Sequence, residues 1–469
     1  MAKLEEREGE YGDKVLALEP GGIEAIPAKD RHGKASQLFA TWMSPNLEFA
    51  TIYIGVLGVV AFGLSFTQAA LGILIGNALG ALGQYVLTKD GPKYGVPQMV
   101  IGRAAFGKLG NILPAVANAG AAGVGWFAVN SVSGAYALSD LTKLKPVPSL
   151  VIVVLVEIVV AFIGHNLVQS VEKYLFPYLV IVFGAAGVYA FTSSHTHLGA
   201  AAGGHVPGGF LILVGAVYGY AAGWNPFSSD YARYLPATES GEKAGRAAGL
   251  GIFVSGSLLQ IIGAAAATAG VHLYGADTNP TGDFTSLMPN WLGKLVLLGI
   301  VAGSICANVL NVYSGSMSFL TLGIKVGSTL RRAIAAVVFG VAGFLLAKAA
   351  LGNPANNYEN FLLIMSYWVG PWLGVVLADK FIRKGASVES LLFANRENIA
   401  GPIAWVIGTS FSIWGFVNQT WGHGKSFHYV LGYFVKKNGS LGDITFFVGF
   451  IVAFVIYYIL AKKKVSAEK

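Results

Sequence analysis

Two stretches decide the fold: Ser44-Pro45-Asn46-Leu47-Glu48 and Gly223-Trp224-Asn225-Pro226-Phe227-Ser228-Ser229-Asp230. Each sets a proline among polar residues inside an otherwise apolar run. Proline removes one backbone hydrogen bond and crowds the preceding turn. In hydrocarbon the carbonyls so released need another partner. One such proline reads equally well as a simple kink. Two, at matching places five spans apart, read as a unit of five helices used twice, with one copy inverted because five is odd. Interrupted helices at corresponding places in two halves point to a midplane binding site.

Working outward, the composition agrees. Of 469 residues 54% are hydrophobic and only 12% charged, against about 25% charged in soluble domains. Apolar runs of the roughly 20 residues needed to cross a bilayer recur along the chain. Glycine is nearly twice as frequent as usual, at 62 residues, which suits close helix packing in a membrane. Spans are expected at 36–64, 67–88, 110–138, 147–165, 173–193, 208–233, 244–272, 291–322, 332–350, 358–382, 401–418 and 441–461. With the N-terminus in the cytoplasm, 25 of the 32 Lys and Arg fall on the inner side, as orientation by positive charge requires. The net charge of +8 therefore argues for orientation, not for nucleic acid. The single cysteine, Cys306, permits no internal disulfide and no cysteine metal cluster.

The expected organisation is a cytoplasmic tail 1–35 without a cleavable signal, a first repeat 36–193, a second repeat 208–384, two further helices 401–461 and a basic tail 462–469. The segment 89–109 is too polar and broken to span and reads as a cytoplasmic loop with a short helix. The polar stretch 273–290 is a place for a lid helix. Lys462, Lys463 and Lys464 follow the last span as an orientation signal beside anionic lipid.

Several polar groups face the centre. Trp126 and Asn130 are four apart on one helix face. A ring beside an amide suits a flat heterocycle, which stacks on the ring while the amide reads its edge. Taken alone, packing and a helix-to-helix hydrogen bond explain them as well. Asn308 and Asn311 share a face of the eighth span, with Ser304 one turn earlier. Ionisable groups within spans are candidates for function. Glu48 follows the first break and is the candidate cation carrier; pairing with backbone N–H groups is the plainer reading. Glu157, among wholly apolar neighbours, reads as structural. Asp230 and Arg233, three apart at the inner end of the sixth span, read as a local ion pair or an inner gate. His165 is expected at the interface.

The motifs Trp42-Met43-Ser44-Pro45-Asn46, Leu74-Ile75-Gly76-Asn77, Arg103-Ala104-Ala105-Phe106-Gly107, Gly125-Trp126-Phe127 with Asn130, Asn225-Pro226 with Ser229-Asp230-Tyr231, Asn308 to Tyr313-Ser314, and Tyr367-Trp368 occur in order. Together they resemble the nucleobase:cation symporter-1 family, in its purine–cytosine permease branch, from about residue 36 to 385. The resemblance implies an all-α membrane protein of about twelve transmembrane helices: a leucine-transporter-type five-plus-five inverted repeat and two extra helices. It implies a symporter that takes up a nucleobase, cytosine or a purine, with a cation. Carried over by position, Trp126 stacks on the base and Asn130 and Asn308 bond its edge. Trp224, or failing it Tyr220, supplies the second aromatic, and Ser44 and Asn46 line the cavity. Sodium-coupled members resemble one another in carrying adjacent hydroxyls on the eighth span, where this chain has Cys306 and Ala307. Neither suits a hard cation, and Ser304 is a partial substitute. The expected partner ion is therefore a proton, with sodium as the alternative.

Other readings are weaker. An enzyme needs convergent catalytic groups; none is visible, and most of the eight histidines fall in outer loops. No catalytic residue, metal or cofactor is expected. A channel lacks support in any repeated filter. A symporter for a hydantoin, allantoin or a vitamin remains the near alternative.

Overall fold

In hydrocarbon only a helix or a closed barrel satisfies its own backbone, and this chain uses helices almost throughout. The computed structural model describes residues 22–163, 165–195, 206–270, 279–323, 328–421 and 428–468; for residues 162, 163, 165–174 and 328–336 it describes the backbone alone. The expected tail is thus described from residue 22 only, the polar stretch 273–290 from residue 279 only, and the side chain of His165 lies outside the described residues.

Helices occupy all the expected stretches. The first is a bent pair, α1 (Gln37–Met43) and α2 (Phe49–Val60), followed by α3 (Phe66–Thr88). The third stretch runs from α4 (Ile112–Gly120) through a π-helical segment, Ala121–Trp126, into α5 (Phe127–Thr142). Next come α6 (Pro146–Ile163), α7 (His165–Thr192), α8 (Gly209–Ala222), the short α9 (Ser228–Ala232) and α10 (Gly241–Ala269). The remainder are α11 (Pro280–Thr285), α12 (Asn290–Leu320), α13 (Ser328–Ala350), α14 (Pro354–Arg383), α15 (Ala400–Phe416) and α16 (Thr445–Ala467). Among the described residues eight helical stretches are long and apolar enough to cross a membrane, and the bent α1–α2 pair makes a ninth.

The two prolines act differently. At the first, a 3-10 turn at Ser44–Asn46 leads to Leu47 and an extended Glu48, and the chain bends by 61°. The released carbonyls are taken up locally: Asn46 Nδ2 donates to Trp42 O at 2.8 Å and Thr51 Oγ1 to Asn46 O at 2.7 Å. At the second, the 3-10 turn Asn225–Phe227 only tightens the path between α8 and α9, and Ser228 Oγ reaches Asn225 O at 2.7 Å.

Glycine sets how closely the helices approach. A Cβ on Gly55 of α2 would lie 1.7 Å from Gln260 O of α10, and one on Gly263 of α10 only 1.8 Å from Ile52 O. The obstacle is backbone on both sides, so no rotamer relieves it. Gly55→Ala and Gly263→Ala are each expected to destabilise the protein by more than the ~1–3 kcal/mol of ordinary overpacking. Gly184→Ala, with nothing within 4 Å, is expected to be neutral. Melting curves of the purified variants check this; a Gly55→Ala protein as stable as Gly184→Ala would disprove the contact.

The segment 89–109 is no solvated loop. It forms three short helices, Gly91–Tyr94, Gln98–Ile101 and Arg103–Gly110, and most of it is buried. Arg103 donates to the carbonyls of Leu392 and Thr321. The described part of the N-terminal segment packs here too: Ile26 N donates to Gly95 O, and Arg31 to Ile26 O and Pro92 O.

The last helix does not stop at residue 461 but continues to Ala467, so the three lysines are helical. It ends in a clasp. Glu468 meets Arg383 at 3.0 Å and Arg396 at 2.7 Å. Partial burial pushes the Glu468 carboxyl up, but the two guanidinium groups outweigh it and hold the carboxyl below its ordinary value. A lowered folded value stabilises above the unfolded carboxylate range, near pH ~4.3, and the gain is lost as pH falls through the folded value. Glu468→Gln is therefore expected to melt lower than wild type at pH 7, with the two curves converging in acid. Equal melting at pH 7 would remove the clasp from the stability account.

At the opposite end, α11 lies within the polar stretch where a lid helix is expected. Directly after α15 in sequence, β1 (Asn418–Trp421) and β2 (His428–Leu431) pair as an antiparallel hairpin.

Candidate functional site

Two hydrogen-bonded groups meet at the centre. The first ties the two breaks together. Asn46 Oδ1 accepts from Tyr220 Oη at 2.6 Å and from Trp224 Nε1 at 3.0 Å. All three side chains are buried, where unpaired polar groups are costly, so the bonds lock α1–α2 to α8–α9.

The second group ties α5, α6 and α12. Asn130 Nδ2 donates to Asn308 Oδ1 at 3.0 Å. Asn308 Nδ2 donates to Phe127 O at 3.0 Å and Ser131 Oγ at 3.1 Å. Ser131 Oγ in turn donates to Glu157 Oε2 at 2.6 Å, and Glu157 Oε1 has no protein partner. Four polar side chains from three helices thus form one buried chain.

Beside these groups stack two indoles, that of Trp224 from the first group and that of Trp126, which immediately precedes α5. They are parallel within 7°, with ring centroids 6.4 Å apart. Tyr220 stands edge-on to Trp126 at 5.6 Å, so it backs the slot and Trp224 forms the second wall. Trp126 closes the π-helical segment. Such segments cluster at functional sites, and this one sets the register in which the indole leaves its helix. Gly223 lies close under Trp126: a Cβ there would be 3.1 Å from its Cζ2.

The chain matches the family model described as permease for cytosine/purines, uracil, thiamine, allantoin, over residues 25–449. It belongs to that permease family. A relative in Bacillus subtilis (strain 168), the putative purine-cytosine permease YxlA, is 29% identical over 96% of this chain and 97% of its own length. The purine-cytosine permease fcyB of Emericella nidulans is 27% identical, over 96% and 91%. Among solved structures, MHP1, a nucleobase-cation-symport-1 family transporter in a closed conformation with bromovinylhydantoin bound, superposes with a TM-score of 0.72 at 16% identity, covering 97% of both chains. That likeness shows the fold, and the relatives make this chain a multi-pass membrane permease.

The permease places the expected residues unevenly. Trp126, Asn130, Trp224, Tyr220 and Asn308 come together. Asn46 comes with them, but its amide is spent on joining the two breaks instead of lining an open space. Ser44 is buried at the first break. Ser304 does not face that break. Its hydroxyl bonds Val301 O, and it packs on Gly134 of α5. Gly303 is the neighbour, with the position of its missing Cβ 2.9 Å from Leu47 O and 3.2 Å from Glu48 Cβ. One residue of helix rotation separates the two, and the sequence alone does not give it. Glu48 occupies the N-cap position of α2 without a side-chain capping hydrogen bond, and its Oε2 is buried without a protein partner. Asp230 and Arg233 point to different partners: Asp230 Oδ1 accepts from Gln98 N at 2.9 Å, while Arg233 reaches Gly22 O at 2.8 Å and Tyr313 Oη at 2.9 Å.

Glu157 and Ser131 were missed as part of this constellation. Glu157 sits in an apolar run and gives no periodic signal, but an ionisable residue in a span is itself a signal. Ser131 adjoins Asn130 and is silent in sequence.

Proposed function

We propose that this permease is a proton-coupled symporter that takes up a nucleobase, cytosine or a purine such as adenine or hypoxanthine, across the plasma membrane, with both termini cytoplasmic. The observation that carries the reading is the pair of parallel indoles with the Asn130–Asn308 amides beside them. A ring held between two parallel rings needs about 7 Å, twice the ~3.5 Å carbon contact distance. The centroids stand 6.4 Å apart, an upper bound on the spacing of the planes, so one wall must move outward to admit a base. The walls stand on different parts of the bundle: Trp224 is bonded into the group tying α1–α2 to α8–α9, and Trp126 leads into α5, which the second group ties to α6 and α12. Rocking of the first group against the second opens the slot to one side or the other, as alternating access requires. Bases stack on aromatic faces irrespective of identity, so the amides supply the choice among them.

Proton coupling rests on what faces the first break. There α12 presents Gly303, with Cys306 and Ala307 one turn on, and no side-chain oxygen for a hard cation. Among the described residues, Glu48, at that break, and Glu157, at the end of the amide chain, are carboxyl groups near the slot. A related ring such as allantoin, a hydantoin or thiamine, or coupling to sodium, is the alternative, and the breadth of the family description favours keeping it.

Thermal stabilisation of the purified protein by a panel of rings, with and without sodium, tests this. Cytosine, adenine or hypoxanthine is expected to raise the melting temperature equally in sodium and in choline. Stabilisation only by a hydantoin, allantoin or vitamin would move the substrate to the alternative class, and a sodium requirement would overturn the proton.

A further inference from the structure

A cavity lies outside the indole slot. It has a volume of about 260 Å³ and lies at the end of the bundle that carries α11 and the hairpin. By the distribution of Lys and Arg this is the outer end. Phe361 of α14 is the partition: it lines the cavity and packs edge-on to Trp126, with centroids 4.9 Å apart and planes at 88°. Only glycine at 125 permits this, since a Cβ there would lie 2.3 Å from the Phe361 ring.

From this arrangement we propose that the cavity is a second, weaker binding site for a neutral flat heterocycle, holding one ring outside Phe361 before it enters the slot. The inference rests on the proposed transport of such rings. The walls include Tyr53, Tyr136, Tyr358, Phe361 and Trp421, and among the described residues no charged side chain lines them. An aromatic, uncharged wall selects a neutral planar ligand over an ion. The volume is below the ~300–1,000 Å³ of drug-sized pockets and suits a single small ring. The polar edge is Asn360. Its side chain is buried, Nδ2 donates to Thr420 O at 2.6 Å, and Oδ1 has no protein donor. Oδ1 is closed off from the cavity as the side chain stands, so a ring N–H supplies its missing donor only after the amide turns. Asn360 and Trp421 belong to neither central hydrogen-bonded group, so their loss leaves the slot intact.

Equilibrium dialysis of radiolabelled cytosine against the purified full-length protein tests the proposal. Two classes of site are expected, one base each, the second at least about tenfold weaker. Asn360→Leu and Trp421→Ala are each expected to remove the weak class and keep the tight one; Trp126→Ala is expected to do the reverse. Trp421 is partly exposed on the hairpin, so its variant checks the result should Asn360→Leu misfold. Saturation at one base per chain, abolished by Trp126→Ala, would overturn the second site and leave the transport reading standing. A weak class that survives both outer variants would also overturn it. No saturable cytosine binding at all would remove the transport reading and this inference with it.

Discussion

Asn308→Ala is expected to reduce nucleobase uptake by at least about 100-fold. Asn308 bonds Asn130, Ser131 and Phe127 O at once. Truncation removes the contact to the base that we propose for it. It also leaves Asn130 Nδ2 and the Ser131–Glu157 end of the chain without their central partner. A buried polar group left unpaired costs about 1–3 kcal/mol, and two such losses together approach a hundredfold. Asn130→Ala removes only one end of the chain. It is expected to abolish measurable binding of the base while the protein stays folded, because the Asn308 bonds to α5 remain. Uptake and ligand-induced melting shifts measured on both variants distinguish the roles. Wild-type binding by Asn308→Ala would take the amide chain out of the site.

The second large effect concerns coupling. Glu48→Gln is expected to keep base binding but to lose the dependence of that binding on pH and the accumulation of base against its gradient. A cation drives transport only through its different affinity for the loaded and empty states. Coupling of this kind is commonly worth 5–150-fold in affinity, and that enhancement is what the amide variant forfeits. Glutamine keeps the size of the side chain, and the break is held by the Asn46 and Thr51 bonds, so the bend survives. Wild-type uptake is expected to change by less than about twofold when sodium is replaced by choline at fixed pH, given a reference coupling of that size. Collapse of uptake in choline would reject the proton. Undiminished accumulation by Glu48→Gln, with loss in Glu157→Gln instead, would move the proton to the other carboxyl group.

Both effects depend on contacts between helices far apart in the chain, and this marks the limit of what was legible beforehand. Pro45 and Pro226 announce the interruptions because a missing N–H and a ring clash are local properties. Trp126 and Asn130 announce a ring and an amide on one face because helical spacing is local too. Ser304 shows where this stops. Its place one turn before Asn308 is readable, but the rotation of α12 that turns Gly303 to the break and Ser304 to Gly134 is decided by packing. Asn46 is similar: a polar residue at a break reads as cavity lining, and only Tyr220 and Trp224 arriving from α8 reveal it as the tie between the two breaks.

By itself the sequence determined that the chain is a helical membrane protein, where its helices are interrupted, and which residue types sit at the interruptions. These follow from hydropathy, run length and proline chemistry, which act over a few neighbouring residues. The tertiary structure alone decided that Trp224 lies parallel to Trp126 with Tyr220 edge-on. It alone linked Glu157 through Ser131 to the amides, and gave Asp230 and Arg233 separate partners. Those outcomes depend on helix rotation and depth, which in hydrocarbon are set by small-residue contacts and the need to pair buried polar groups, not by the order of residues along any one helix.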